Sequence, residues 1–219
     1  AVNALNILKP KIFVAENVTG LGSKDQRETM IKIIHELKKA DNGYNVTLHH
    51  YHLEDYGIPQ TRHRFFIVGY KDKTKKFLVP EPSCQIVNAS MAIDDGFVYN
   101  EGPISNSAYN HEITYPSEIV SMRLLQTKPG ENAWNPNIDS KYRLNGVKNA
   151  TFSNIYKKLD PDKPSYTVTG SGGGGTSMYH WNMEKGKQRA LTNREKARLQ
   201  TFPDTFRFYG TKTEIRRQV

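Results

Sequence analysis

Three changes of rhythm in the hydrophobic and polar positions divide the chain. Ile12 to Ala15 form a short apolar run bounded by Pro10 and Gly20, the pattern of a strand covered on both faces, as in a parallel α/β sheet. The run stops at a carboxylate and a carboxamide, Glu16 and Asn17. Ligands of such sheets sit beyond the carboxyl ends of the strands, so a polar pair there points at a site; the plainer alternative is that the pair begins a solvated turn. Met30, Ile33, Ile34 and Leu37 then recur at helical spacing, with Ser23 and Gln26 as a capping box and "DNG" at 41–43 as the stop. Tyr44, Val46 and Leu48 alternate, and "RFFIVGY" at 64–70 is a second run rich in aromatic and β-branched residues. Strand, helix, strand, strand is α/β grammar.

From about Lys71 the character changes. "KDKTKK" is a charge run, and the following hundred or so residues carry turn signals such as "EGPISNS", "KPGENAWNPN" and "DPDKP" in place of long periodic segments. This predicts a separate, irregular, mainly β lobe. "LTNREKARLQTF" restores helical order, with Thr192 and Glu195 as a second capping box. No repeat of solenoid length is visible.

Composition narrows the partners. Of 219 residues, 31 are Lys or Arg and 22 Asp or Glu, a formal charge of +9 with a pI near 9.5. Such an excess favours polyanions, nucleic acid foremost, although a merely soluble basic protein would share it. The lone cysteine, Cys84, excludes an internal disulfide and a cysteine-rich zinc site and fits a reducing, cytoplasmic setting. No apolar stretch has the length of a membrane span, and the N-terminal residues lack a secretory pattern.

Several motifs fail on inspection. "GSGGGG" at 170–175 has glycines at the dinucleotide-binding positions Gly170, Gly172 and Gly175, but no apolar helix follows, and Thr176 stands where a phosphate-cradling loop needs lysine. A glycine loop whose backbone closely approaches something is the better account. In "HHYH", His50 and His52 share a strand face but have no carboxylate or cysteine at a recognisable spacing, so no metal is expected. Cys84 has no helix start or placed histidine to activate it. "QTRHR" at 60–64 is more informative: Arg62 and Arg64 alternate just before an apolar strand, and guanidinium forks suit phosphates and the carbonyl edge of a base. A pair of solvated cations is the ordinary alternative.

Taken together, "ENV" at 16–18, "QTRHR" at 60–64 and "RALTNREKARLQTFPDTFRF" at 189–208 resemble three consecutive motifs of the DNA cytosine-5 methyltransferases, and the resemblance extends over essentially the whole chain. It implies a partial Rossmann-like methyltransferase sheet at 1–72, a target-recognition lobe at 73–186 and a return to the catalytic domain at 187–219. In this family a cysteine thiolate attacks C6 of a flipped cytosine and S-adenosylmethionine methylates C5. By motif matching, Glu16 resembles the glutamate that contacts N3 and the exocyclic amine, and burial at the strand end is expected to let it hold a proton. Asn17 resembles the residue bracing the nucleophile loop, and Gln60, Arg62 and Arg64 the set in which the second arginine reaches O2 of the base while the first supports the phosphate side. Thr167 resembles a threonine contacting the DNA backbone near the extruded base. Arg194, Gln200 and Pro203 would orient the two lobes. Lys141, Arg143 and Lys148, interleaved with Tyr142, Phe152 and Tyr156, are the expected DNA-facing cations of the lobe.

Two departures qualify the expectation. The FxGxG-type cofactor loop and the PCQ nucleophile loop precede ENV in the family and have no counterpart here; "PSCQ" at 82–85 lies after QTRHR, where members have a linker. The chain is therefore expected to be a fragment or a subunit of a bacterial or phage enzyme, inactive alone, with double-stranded DNA and a second polypeptide carrying the cofactor half as partners. The alternative is a non-catalytic DNA-binding module.

Overall fold

A computed structural model describes residues 1–18, 27–83, 85–96, 102–144, 154–170 and 173–219. Ser23 and Gln26, Cys84, Lys148, Phe152 and Gly172 lie outside the described residues. The chain forms two compact units, Ala1–Leu53 with Arg62–Cys84, and Glu54–Thr61 with Gln85–Val219.

The first unit holds α1 (Val2–Leu8), β1 (Ile12–Val18), α2 (Arg27–Lys39), β2 (Asn45–His52) and β4 (His63–Tyr70). Lys9, left-handed at φ 45°, ends α1, and its N–H returns to the Leu5 carbonyl. The "DNG" stop behaves as expected: Asp41, Asn42 and Gly43 all have positive φ. Strand order is β1-β4-β2, with β4 antiparallel to both neighbours, so β1 and β2 run parallel and α2 is their crossover. Phe13, Ala15, Val46 and Ile67 share one face and pack with Leu5, Leu37, Ala40 and Tyr44. A Cβ on Gly69 would overlap the ring of its cross-strand partner Phe13, so only glycine fits beneath that ring.

The expectation that β1 is covered on both faces does not hold. Its burial alternates residue by residue, and Ile12, Val14 and Val18 are each about half exposed or more, at 51, 63 and 50%. Only its other face meets the helices, which is what alternation produces at the edge of a sheet clothed on one side.

The second unit contains β3 (Gln60–Thr61), α3 (Ala89–Ile93), α4 (Glu118–Leu125), β5 (Ser165–Tyr166), α5 (Asn193–Leu199) and α6 (Lys212–Gln218). Its main core gathers Ala92, Ile93, Leu159, Val168, Leu191, Leu199 and Ile215, and a smaller one Ala133, Ile138 and Ile155. Residues 73–186 are irregular, as expected, but among their described residues not mainly β: they hold the two-residue β5, paired in parallel with β3, plus isolated bridges at Tyr179. Long ladders being absent, buried polar side chains satisfy the backbone instead. Arg194, fully buried, donates to the carbonyls of Tyr109, Pro203 and Phe206. Arg198 reaches Ile93 and Gly102, and Lys158 reaches Asn182. Residues 54–61 and 187–219 fold within this unit. No helix among the described residues is long and apolar enough to cross a membrane.

Candidate active site

In the first unit the register places Glu16 opposite Phe66 and Val18 opposite Arg64, so Glu16 and Arg64 project from the same face two positions apart. Arg64 Nε lies 2.6 Å from Glu16 Oε1, an ion-pair contact without an aligned N–H···O bond, while Arg64 Nη1 donates to the His63 carbonyl at 2.8 Å. Arg62 joins them electrostatically. Burial lowers its hold on its proton, the Arg64 charge adds to this, and the Glu16 carboxylate opposes both. Its backbone is anchored where its carbonyl accepts the Leu53 N–H at 3.0 Å. Phe66 lies beside Glu16 on this face and meets the Tyr51 ring edge-on at 5.3 Å. A carboxylate, two guanidiniums and an aromatic floor suit a flat, polar heterocycle that gains and loses protons.

The burial expected for Glu16 is absent: its side chain is 47% exposed and paired with Arg64. Asn17 points to the opposite face and turns its Oδ1 onto the Val18 N–H at 2.8 Å.

In the second unit Gln60 lies inside the fold. It is 1% exposed, its Oε1 accepts the Val168 N–H at 2.9 Å, and its Nε2 donates to the Leu199 carbonyl at 3.3 Å. The Thr167 hydroxyl donates to the Thr61 carbonyl at 2.8 Å, beside the β3–β5 pair. Arg143 is committed locally, donating to the carbonyls of Ile138 and Pro136, whereas Lys141 is exposed over the Tyr142 ring. Arg194 and Pro203 bond directly to each other, and Gln200 caps α5 with its backbone N–H. The predicted box at α5 forms in both directions, Glu195 N–H to Thr192 Oγ1 and Thr192 N–H to Glu195 Oε2. Arg189 grips the same Glu195 with both guanidinium arms, at 2.7 and 2.8 Å.

The sequence reading missed two features. A cavity of about 410 Å³ in the second unit is lined by Tyr115, Asn193, Lys196, Lys212 and Arg216; burial, with Arg216 beside it, pushes the Lys196 ammonium down to about 8. Nothing local in "TNREKAR" signals that its lysine turns inward. A third imidazole is the second: His63 joins His50 and His52, with no carboxylate or cysteine in the group. The glycine loop meets its own chain: a Cβ on Gly175 would crowd the Tyr156 ring at 3.1 Å, and one on Gly170 the Arg217 carbonyl at 3.2 Å.

Comparison with known proteins follows the same lines. A family model described as C-5 cytosine-specific DNA methylase matches residues 1–219. The Type II methyltransferase M.BbvI of Brevibacillus brevis is 46% identical over the full chain, and M.NgoFVII of Neisseria gonorrhoeae is 35% identical over 98% of it. The chain spans about half the length of these relatives, 56 and 55%. Among solved structures, a DNA modification methyltransferase encoded within an E. coli prophage superposes with a TM-score of 0.67 at 22% identity, over 99% of this chain and 66% of that one. The S. pombe Dnmt2 methyltransferase gives 0.54 at 16%, over 99% and 64%. These likenesses are to an α/β methyltransferase fold.

Proposed function

Since the chain belongs to the C-5 cytosine-specific DNA methylase family, we propose that it is the base-recognising portion of a DNA cytosine-5 methyltransferase, active only with a further segment that supplies the nucleophile and the cofactor site. The carrying observation is the 2.6 Å contact of Glu16 with Arg64 on one open sheet face, inside the field of Arg62. Glu16 stands in the ENV motif and both arginines in QTRHR.

In this reading an extruded cytosine lies over the face bearing Glu16. The seated base displaces water from the half-exposed carboxyl group, which then bonds N3 and the exocyclic amine and delivers a proton to N3 as charge builds on the ring. Arg64, held by its bond to the His63 carbonyl, offers an N–H to O2, and Arg62 faces the phosphate side. S-adenosylmethionine, when bound to the complete enzyme, supplies the electrophilic methyl group. No residue of this chain is assigned to hold it, since the cofactor and nucleophile loops of the family have no counterpart in the sequence. The uncovered apolar side chains Ile12, Val14 and Val18 support a continuation of the sheet's covering by the part of its relatives that the chain does not span.

Residues 1–72 and 187–219 are assigned to the catalytic domain of the longer protein and 73–186 to its recognition lobe, in a bacterial or phage-infected cytoplasm. Double-stranded DNA is the substrate, met by Lys141 and Thr167 among the described residues; Gln60 becomes an internal bracket. The half exposure of Glu16 favours, as the second reading, a DNA-binding module without chemistry. Transfer of labelled methyl groups to cytosine-containing duplex by the complete protein, lost on Glu16→Ala with DNA binding retained, is the expected result. Retained transfer by that variant would overturn the assignment of Glu16, and a complete protein that binds DNA but transfers nothing would establish the second reading.

A further inference from the structure

At the end of the β2–β4 pair, His50 and His52 alternate on one strand while His63 stands directly across from His52 on the other. All three therefore project from one face. Their rings make a compact group: His52 stacks on His63 with centroids 4.0 Å apart, and His50 lies 4.7 Å from His52 and 5.9 Å from His63. One nitrogen of each lies within 4.8 Å of the others. His50 is braced from below by Phe65, stacked at 4.6 Å.

We propose that His50, His52 and His63 form a binding site for a first-row divalent metal of the zinc class, with three imidazole ligands and one position open to solvent. Zinc–imidazole bonds of about 2.0–2.1 Å set the ligand nitrogens of a tetrahedral site roughly 3.4 Å apart. Small ring rotations close the remaining distance, and the exposure of His50 and His52 leaves room for them. An all-imidazole set selects zinc, cobalt, nickel or copper over magnesium or calcium, which need oxygen. A strand pair supplies it with little reorganisation, because the ladder already fixes the three backbones.

The site's consequence runs through His63. Its carbonyl takes the Arg64 Nη1–H, and it stands between Arg62 and Arg64 in the chain. A metal clamping His63 to β2 fixes the start of the strand that carries Arg64 and that Arg62 immediately precedes; the ion sits on the face opposite Arg64. The ion is thus a positioning device. Binding itself does not depend on the methyl-transfer reading.

The test uses the untagged full chain, stripped with a chelator, titrated with Zn²⁺ by calorimetry and with Co²⁺ by visible absorption. The expected result is one Zn²⁺ per chain at micromolar affinity or tighter, a four-coordinate cobalt spectrum and a raised melting temperature. His52→Gln and His63→Gln should each weaken binding at least about tenfold, since a lost ligand removes one of three metal bonds. His49→Gln is the control: it shares the same strand but projects from the other face, and binding should not change. Circular dichroism establishes that the exposed-site variants remain folded. Affinity only in the millimolar range, or binding that survives both the His52 and the His63 changes, overturns the proposal.

Discussion

Glu16 and Arg64 meet across neighbouring strands, Oε1 to Nε at 2.6 Å, although 48 positions separate them in sequence. The pairing of β1 with β4 makes that contact, so the carboxylate and the guanidinium are held by the sheet. Glu16→Gln keeps the shape but cannot transfer a proton. In the complete enzyme, turnover is expected to fall by about two orders of magnitude or more while affinity for the DNA site changes little. Single-turnover methyl transfer beside an equilibrium binding measurement checks this; equal losses in both would make Glu16 structural.

Gln60 predicts a stability effect. Gln60→Leu approximates the volume but strands the Val168 N–H and the Leu199 carbonyl, each unmet group costing about 1–3 kcal/mol. Urea denaturation should show a lowered midpoint. An unchanged midpoint combined with weaker DNA binding would return Gln60 to the DNA surface.

Lys141 and Arg143 separate contact from support. Lys141→Ala should flatten the salt dependence of DNA binding by about one phosphate, roughly 0.9 in logarithmic slope. Arg143→Ala should instead loosen the turn that its bonds to Ile138 and Pro136 close, seen as faster amide exchange there at an unchanged slope.

His180 predicts acid sensitivity. Burial first, then Arg189, hold its protonation down to about 4 from an ordinary 6.5, and its Nδ1 accepts the Asn182 N–H at 3.1 Å, which needs a neutral ring. Between those values the unfolded chain binds the extra proton and the folded one does not, so stability falls as pH drops from about 6.5 to 4, by about 3 kcal/mol at most for this group. His180→Gln should make the denaturation midpoint fall less steeply over that window than in the parent; the partly buried His111, lowered in the same direction, stays in both proteins. Identical slopes would reject the role.

The fold and the site were legible in the sequence where their causes are local. The Thr192–Glu195 box is decided within four residues, the stop at Asp41–Gly43 by three, and ENV and QTRHR by adjacent letters. What depends on distant pairing was not. Arg194 finds the Tyr109 carbonyl 85 positions away and Gln60 the Val168 N–H at 108, so the internal roles of these polar residues left no periodic trace. His63 becomes a third imidazole only through the β2–β4 register. The lobe was expected to be mainly β because scattered turn signals replace long periodic segments there, whereas its buried Arg123 and Lys158 take up the carbonyls of Tyr142 and Asn182 that a ladder would have used. Coverage of β1 was not legible because an apolar run shows that side chains seek cover, and no described element supplies it on the face of Ile12, Val14 and Val18.

The central strand of the first sheet is its last in chain order. β1 and β2 do not pair with each other, and both wait for β4, so during synthesis no rung of this ladder can close until the ribosome has released residues near 63–70. Until then neither β1 nor β2 can make its bonds to β4, and α2, which lies between them in the chain, is the local structure that can form by itself. Chaperone demand for this part of the sheet should therefore track the time taken to translate the segment from β1 to β4.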